Sequence, residues 1–317
     1  MNQDNILENI SILILSVSLW SGRKKLRPED LRLADGSELP PDKLATLGSK
    51  RVMNPAALTP FASYKSRAER AVLSVGTRFL GGYAVPVGKL NALMTELEDI
   101  RVTFDESKES FLAGYNREVE EWIAENPGWE NVIRNAVEDV DYVRAQLSFS
   151  ARTFYINPVE GHESGLEEEV NGLAGQLRRE VRQQAKAAWD CSFHGKLEVG
   201  QKAVRPVRAM LEKIEGLVFL EPGLNELVSG IRLTLAALPK TGPIKGKDFA
   251  ALCGAIHLLG NIPEAKEIAE NPPVTEEPER ELPLAVELEN NEEENGIGVI
   301  PELIHRPQFE ETPAEWF

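Results

Sequence analysis

The stretch LNALMTELEDIRVTFDESKESFLAGYNREVEEW, from Leu90 to Trp122, decides the fold of this chain. Apolar residues recur in it every seven positions at first and every three or four thereafter, at Leu90, Leu97, Phe104, Phe111, Tyr115, Val119 and Trp122. This repeat predicts one α-helix of roughly 40 residues, which the Asn126-Pro127-Gly128 sequence ends. Because so long a helix is stabilised mainly by packing, the pattern also predicts partner helices.

Further helices are predicted on both sides of the long one. Upstream, Thr59 is a candidate N-cap, Pro60 occupies the first helical position, and Gly76 is a candidate C-cap. Downstream, apolar residues at three- and four-residue steps indicate five more helices, over residues 129–147, 165–189, 204–218, 224–238 and 248–260.

A small β element is predicted near the N-terminus. The segment ISILILSVSLW, residues 10–20, is dense in β-branched and aliphatic residues and begins to alternate with serine toward its end. A second strand is expected over residues 77–86, bent at Gly81-Gly82, and a third over residues 151–157. We expect these pieces to form a small antiparallel sheet.

Together these patterns predict a mainly α fold of long antiparallel helical hairpins with a small N-terminal β element. Residues 1–86 form the expected α/β region, and residues 87–262 form a long-helix bundle continuous with it. Residues 263–317 contain 16 acidic residues, three basic ones and eight prolines, without sustained periodicity. That composition is typical of a disordered acidic tail.

The formal net charge of −16 is unevenly distributed. Residues 263–317 carry −13 of it, whereas residues 21–90 contain 13 Lys and Arg against six Asp and Glu. A surface for nucleic acid or for an acidic partner is therefore expected from the clustered cations, because each neutralised phosphate releases counterions. Acidic residues stand among the first cluster of these cations, which begins at Arg23, so a solvated mixed-charge surface is the alternative. The candidate residues are Arg23, Lys24, Lys25, Arg27, Lys65, Arg67, Arg70, Arg178 and Arg182.

Two Cys/His pairs are weak candidates for a metal or thiol site. Cys191 and His194 are three residues apart, Cys253 and His257 are four apart, and each pair can share a helix face. In apolar helical surroundings a cysteine more often packs as a small hydrophobe. Glycine-rich phosphate loops and serine-hydrolase signatures are missing from the sequence. We therefore expect no enzyme and no cofactor.

The end of the acidic region has the composition of a docking peptide. Aromatic residues stand among acids at Phe309, Trp316 and Phe317, so they can anchor in a basic-rimmed pocket while the acids steer the encounter. The pocket can belong to a partner protein or to the chain's own basic face. The alternative is an inert solubilising tail.

Targeting and membrane insertion are not indicated by the sequence. The apolar stretch at residues 10–20 follows acids and is far shorter than the ~20 residues that span a bilayer. Two cysteines are too few for a disulfide framework. A cytoplasmic location is the expectation.

Four stretches carry a resemblance to a known family: SLWSGRKKLRPEDL, LPPDKLATLGSKR, RAERAVLSVGTRFLGGYAVP and WIAENPGWENVIR. Over about residues 12–260 the chain resembles an uncharacterised bacterial family, a domain of unknown function of the DUF3150 type. The resemblance implies relatives on plasmids, integrative elements, phages and proteobacterial chromosomes, often beside a MoxR-like AAA+ ATPase and a von Willebrand A-type protein.

The resemblance implies no catalytic residues, and it favours a non-enzymatic adaptor working with such an ATPase. The second hypothesis is a nucleic-acid-binding accessory factor in mobile-element replication or recombination.

Overall fold

The mainly helical fold with a small N-terminal β element is confirmed by a computed structural model, which describes residues 3–31, 44–159 and 164–262. The helices of the described residues are α1 (Gln3–Asn9), α2 (Thr59–Val75), α3 (Val87–Glu125), α4 (Glu130–Arg134), α5 (Val140–Gln146), α6 (Ser164–Ser192), α7 (Val204–Gly216), α8 (Asn225–Ala237) and α9 (Gly246–Gly260). The strands are β1 (Ile10–Ser18), β2 (Arg23–Lys25), β3 (Ser49–Arg51), β4 (Thr77–Phe79), β5 (Gly82–Pro86), β6 (Ser148–Phe154), β7 (Glu198–Val199) and β8 (Ile244–Lys245). The predicted arrangement of the helices as long antiparallel hairpins stays a prediction.

Helix α3 confirms the prediction from the seven-residue repeat, because it is one helix of 39 residues that ends at Glu125. At a rise of 1.5 Å per residue it is about 58 Å long. Helix α2 packs along it, with Phe61 edge-on to Phe104 at 5.3 Å between ring centroids and the Tyr64 hydroxyl 2.8 Å from the Ser107 Oγ. Four residues of the predicted row are buried, Leu97, Phe104, Tyr115 and Val119, whereas Leu90, Phe111 and Trp122 are half-buried.

The predicted N-terminal sheet is present and antiparallel, in the strand order β4-β5-β1-β6. Residues 77–86 are not one bent strand, however, but the hairpin of β4 and β5. The chain reverses at Leu80 and Gly81, both at positive φ, and an added Cβ at Gly82 would lie 2.6 Å from the Leu13 carbonyl oxygen. The third strand begins three residues before its predicted start, at Ser148.

The single helix predicted over residues 129–147 is wrong, because the structure has two short helices there, α4 and α5. Helix α4 is capped at Asn135, and Asp139 starts α5 by accepting a hydrogen bond from the Asp141 N–H at 2.8 Å. Between them the Glu138 carbonyl oxygen accepts the Tyr115 hydroxyl at 2.8 Å. These side-chain bonds to the backbone compete with the hydrogen bonds of a continuous helix. The spacing of the apolar residues does not indicate such a break.

Helices α6 to α9 enclose a second hydrophobic core, and a buried ion pair lies at its edge. Lys213 Nζ on α7 donates to Glu180 Oε2 on α6 at 2.7 Å and to the Leu73 carbonyl oxygen at 2.8 Å. Burial lowers the pKa of Lys213. Burial opposes the charge of Glu180 as well, yet Lys213 holds the pKa of that carboxyl below its ordinary value. The pair therefore joins α6 and α7 to the end of α2.

The chain divides into two units, Met1–Glu267 and Ile268–Phe317. The predicted acidic tail, residues 263–317, lies outside the described residues. Within residues 3–31, 44–159 and 164–262, every helix is too short or too polar to cross a membrane.

Candidate functional site

Three of the predicted cations, Arg23, Lys24 and Lys25, lie on a two-stranded antiparallel ladder. Strand β2 pairs with β3, so that Arg23 stands opposite Arg51, Lys24 opposite Lys50, and Lys25 opposite Ser49. Because successive side chains of a strand point to opposite faces, the ladder sorts these cations into two sets. Lys24 and Lys50 are half-buried, whereas Arg23, Lys25 and Arg51 are exposed.

The half-buried set is neutralised by carboxylates. Lys50 Nζ lies 2.6 Å from Asp30 Oδ2, and the same oxygen accepts the Arg27 N–H at 2.8 Å. Burial opposes the charge of Asp30, which is 8% exposed, but these two donors hold the pKa of its carboxyl below the ordinary value. Lys50 therefore acts inside the fold.

Glu138 neutralises the other half-buried cation and fixes Trp20. Its carboxylate accepts the Trp20 Nε1–H at 2.8 Å and forms an ion pair with Lys24. Trp20 packs edge-on against Tyr115, with 5.7 Å between ring centroids, and burial raises the pKa of Tyr115 to about 12. Lys24, a candidate for an acidic-partner surface, also lies 5.6 Å from the Tyr142 ring centroid. Trp20 and Lys24 therefore hold the ladder against α3 and α5.

Two of the exposed cations, Arg23 and Arg51, line a groove. Among the described residues, no carboxylate pairs with the side chains of Arg23, Lys25 or Arg51. The groove has a volume of about 550 Å³ and is lined by Arg23, Leu26, Leu31, Ser49, Lys50, Arg51, Trp122, Asn126, Trp129, Val132 and Ile133. Two arginines directly opposite each other repel, so this end of the ladder favours an anion between them.

The second wall of the groove is built by the turn that ends α3. Asn126 Nδ2 donates to the Trp122 carbonyl oxygen at 2.8 Å, and Gly128 has a φ of 88° that suits glycine. This turn leaves Trp129 46% exposed. Trp122 connects the two walls, because its Nε1–H donates to the Arg51 carbonyl oxygen at 3.4 Å. The site thus combines two tryptophans with two arginines that have no carboxylate partner among the described residues.

The two candidate cations on α6, Arg178 and Arg182, both make contacts inside the fold. Arg178 is 6% exposed and pairs with Glu221, with Nε 2.6 Å from Oε2. Arg182 Nε donates to the Ile262 carbonyl oxygen at 3.1 Å. A sequence pattern cannot distinguish a surface arginine from one whose charge is satisfied inside the fold.

The remaining candidate cations lie outside the groove lining. Arg67 and Arg70 are exposed on α2, where Arg70 Nε donates to the Ser66 carbonyl oxygen at 3.2 Å. Lys65 lies 4.0 Å from Glu69. Arg27 lies 3.5 Å from Glu29. Both ion pairs are solvent-exposed and therefore weak.

The two Cys/His pairs lie on α6 and α9, which pack together, but they do not assemble into a cluster. Cys191 is exposed, Cys253 is half-buried, and burial raises the pKa of the Cys253 thiol. The His257 ring stacks obliquely on Trp189 at 4.4 Å between centroids, and His194 follows the end of α6. In the described part of the chain, no three His, Cys, Asp or Glu side chains are placed to hold a metal ion.

The predicted docking residues Phe309, Trp316 and Phe317 lie outside the described residues. Sequence reasoning missed Arg51, Trp122 and Trp129 as members of one site. The available signal was the pair of tryptophans flanking the Asn126-Pro127-Gly128 turn.

Comparison with known proteins gives one match. A family model described as a protein of unknown function, DUF3150, matches residues 7–261. The curated proteins and the solved structures give no match. Three of the four stretches that carry the resemblance noted above contribute residues to the groove.

Proposed function

The chain belongs to the DUF3150 family of proteins of unknown function, and we propose that it is a non-enzymatic helical adaptor that binds a partner protein through the groove. The observation that carries this proposal is the Arg23–Arg51 couple, which no described carboxylate pairs with, beside two tryptophans. Arginine and tryptophan are the residue types that contribute most to protein–protein binding energy when a partner covers them.

The groove is suited to binding because its walls are held in place before a partner arrives. Strand β2 is fixed through Lys24 and Glu138, β3 through Lys50 and Asp30, and Trp122 belongs to the long helix α3. A preorganised surface loses little conformational entropy on association. The long helices then act as a scaffold that presents the groove.

A MoxR-like AAA+ ATPase is the partner that we propose, with a von Willebrand A-type protein as a second member of the complex. The support is the resemblance described from the sequence, because relatives in that family are often found beside such proteins. We place the adaptor in the cytoplasm, where such an ATPase works.

The test is affinity purification with the full chain as bait. We expect the wild-type bait to enrich an AAA+ ATPase and Arg23→Glu/Arg51→Glu to lose it. The matched control is Arg205→Glu/Arg208→Glu, which makes the same charge change at exposed arginines of α7 outside the groove. The proposal fails if no ATPase is enriched, or if both double variants retain or lose it equally.

A second candidate function is nucleic-acid binding, which the same two tryptophans support. Aromatic rings beside arginines can stack bases while the cations contact phosphates. A gel-shift series with oligo(dT) and duplex DNA over increasing salt separates the two functions. Retardation that falls steeply with salt and is lost in Arg23→Glu/Arg51→Glu would favour the nucleic-acid function over the adaptor.

A further inference from the structure

We propose that the occupant of the groove is an acidic segment of the partner protein that carries one large apolar side chain between carboxylates. Its carboxylates would pair with Arg23 and Arg51, and its apolar side chain would pack against Trp129. This assignment rests on the proposed adaptor function and specifies which part of the partner the groove takes.

The charge of the ligand follows from which cations are available. Lys50 lines the groove, but its Nζ is already 2.6 Å from Asp30. Glu130, which follows Trp129 in the second wall, accepts the Gly128 N–H at 2.9 Å, and this bond holds the pKa of Glu130 below its ordinary value. Within the described part of the chain, the guanidinium groups of Arg23 and Arg51 are therefore available to the ligand. A guanidinium binds a carboxylate through two parallel hydrogen bonds.

The apolar part of the ligand follows from the rest of the lining. Leu26, Leu31 and Val132 are half-buried, and Ile133 is buried at the base. Trp129 is among the more exposed large hydrophobic residues of the described chain. A volume of about 550 Å³ lies within the range of pockets that hold a small ligand or an anchoring side chain. A purely ionic ligand would leave this surface in water.

A peptide fits the groove better than a nucleic acid does. A polyanion would need a continuous track of free cations, but Arg178 and Arg182 are engaged inside the fold and Lys24 pairs with Glu138. Two opposed arginines on an apolar floor match a short segment with a few carboxylates and one hydrophobic anchor.

The test measures fluorescence anisotropy with the full chain and a fluorescein-labelled synthetic peptide in which one tryptophan stands between runs of glutamate. We expect Arg23→Glu/Arg51→Glu to weaken binding roughly 30-fold and Trp129→Ala roughly 10-fold. Arg205→Glu/Arg208→Glu should change the affinity by less than about two-fold, because exposed charges outside the groove are screened. A peptide with alanine in place of tryptophan should bind roughly 10-fold more weakly. Circular dichroism melting confirms that each variant is folded.

Several results would overturn the assignment. An unchanged affinity in Arg23→Glu/Arg51→Glu, or an equal loss in the α7 control, would show that the groove is not the site. Tighter binding of labelled oligo(dT), in competition with the peptide, would make it a nucleic-acid surface. A gain of roughly 10-fold in the full chain carrying Phe309→Ala/Trp316→Ala/Phe317→Ala would identify the chain's own acidic region as the occupant.

The two proposals can fail separately. If the bait recovers its ATPase through Arg23 and Arg51 but the glutamate–tryptophan peptide does not bind, the adaptor function stands and the ligand chemistry is wrong. If the peptide binds and the bait recovers no ATPase, the ligand chemistry stands and the adaptor function is wrong.

Discussion

At the scale of single residues, Glu138 explains why a tryptophan and several cations follow the first strand. Its carboxylate holds Trp20 and Lys24, and its carbonyl oxygen accepts the Tyr115 hydroxyl. The residues of the basic run therefore have two different roles. Lys24 belongs to the structure, whereas its neighbours Arg23 and Lys25 are exposed and unpaired among the described residues.

Replacing Glu138 with alanine should destabilise the fold by about 2–3 kcal/mol, because it leaves the buried Trp20 N–H and a charged lysine without their acceptor. Urea denaturation followed by tryptophan fluorescence measures the change. Glu125→Ala, at an exposed site at the end of α3, is the control and should alter the free energy of unfolding by less than about 0.5 kcal/mol. Equal stability of the two variants would contradict the role of Glu138.

Asp30 predicts how stability depends on pH. Its pKa in the folded chain is lowered below the reference value of 3.8, so the unfolded chain binds the proton more tightly. The stabilisation is therefore complete above about pH 4 and is lost as the pH falls through the folded-state pKa. We expect Asp30→Asn to cost roughly 1–3 kcal/mol at pH 7 and to flatten the decline below pH 4. Unfolding curves from pH 2 to pH 7 test this, and parallel curves for both proteins would contradict it.

At the scale of elements, local patterns were predictable and long-range register was not. The seven-residue repeat located α3, because helix periodicity is a property of neighbouring residues. The groove depends on Trp122 meeting Arg51 across 71 residues of sequence and on the pairing of β2 with β3. The sequence of a three-residue strand does not predict which other strand it pairs with. The break between α4 and α5 was missed because one of its contacts, from the Tyr115 hydroxyl to the Glu138 carbonyl oxygen, comes from a different helix, α3.

The β4–β5 hairpin tests the packing of the sheet. At Gly82 a methyl group would lie 2.5 Å from Ile14 Cδ1 and 2.6 Å from the Leu13 carbonyl oxygen, so Gly82→Ala should cost about 1–3 kcal/mol. At Gly172, inside α6, no described atom other than the neighbouring backbone of the helix lies within 4 Å of the added methyl, so Gly172→Ala should stabilise by about 0.5–1 kcal/mol. Thermal melting of both variants measures these opposite shifts. A Gly82→Ala protein that melts at or above the wild-type temperature would refute the close approach.

At the scale of the whole molecule, the charge distribution separates two sets of proposed contacts. The groove offers two arginines that no carboxylate of the described residues neutralises, whereas residues 263–317 carry a net charge of −13. A chain organised in this way can engage a basic and an acidic surface of different partners. The family match covers residues 7–261 and thus leaves the whole acidic region, residues 263–317, outside it.

The docking role of the acidic region is tested by Phe309→Ala/Trp316→Ala/Phe317→Ala in the full chain. We expect this variant to melt at the wild-type temperature and to lose at least one partner in affinity purification, because aromatic anchors carry most of the binding energy of such peptides. A variant with Glu310→Gln/Glu311→Gln keeps the anchors and should lose less. Full recovery of every partner by the triple variant would contradict the docking role.

The exposed ring of Trp129 beside two free guanidinium groups also has an optical consequence. Trp20 is 6% exposed, so dissolved quenchers reach it poorly, whereas Trp129 stands in a positive field. Iodide should therefore collect near the Trp129 indole and quench its emission more efficiently than caesium does. The ratio of the two quenching constants would fall in Arg23→Glu/Arg51→Glu and in Trp129→Phe. The groove thus contains its own spectroscopic probe of electrostatic potential, which needs no attached dye.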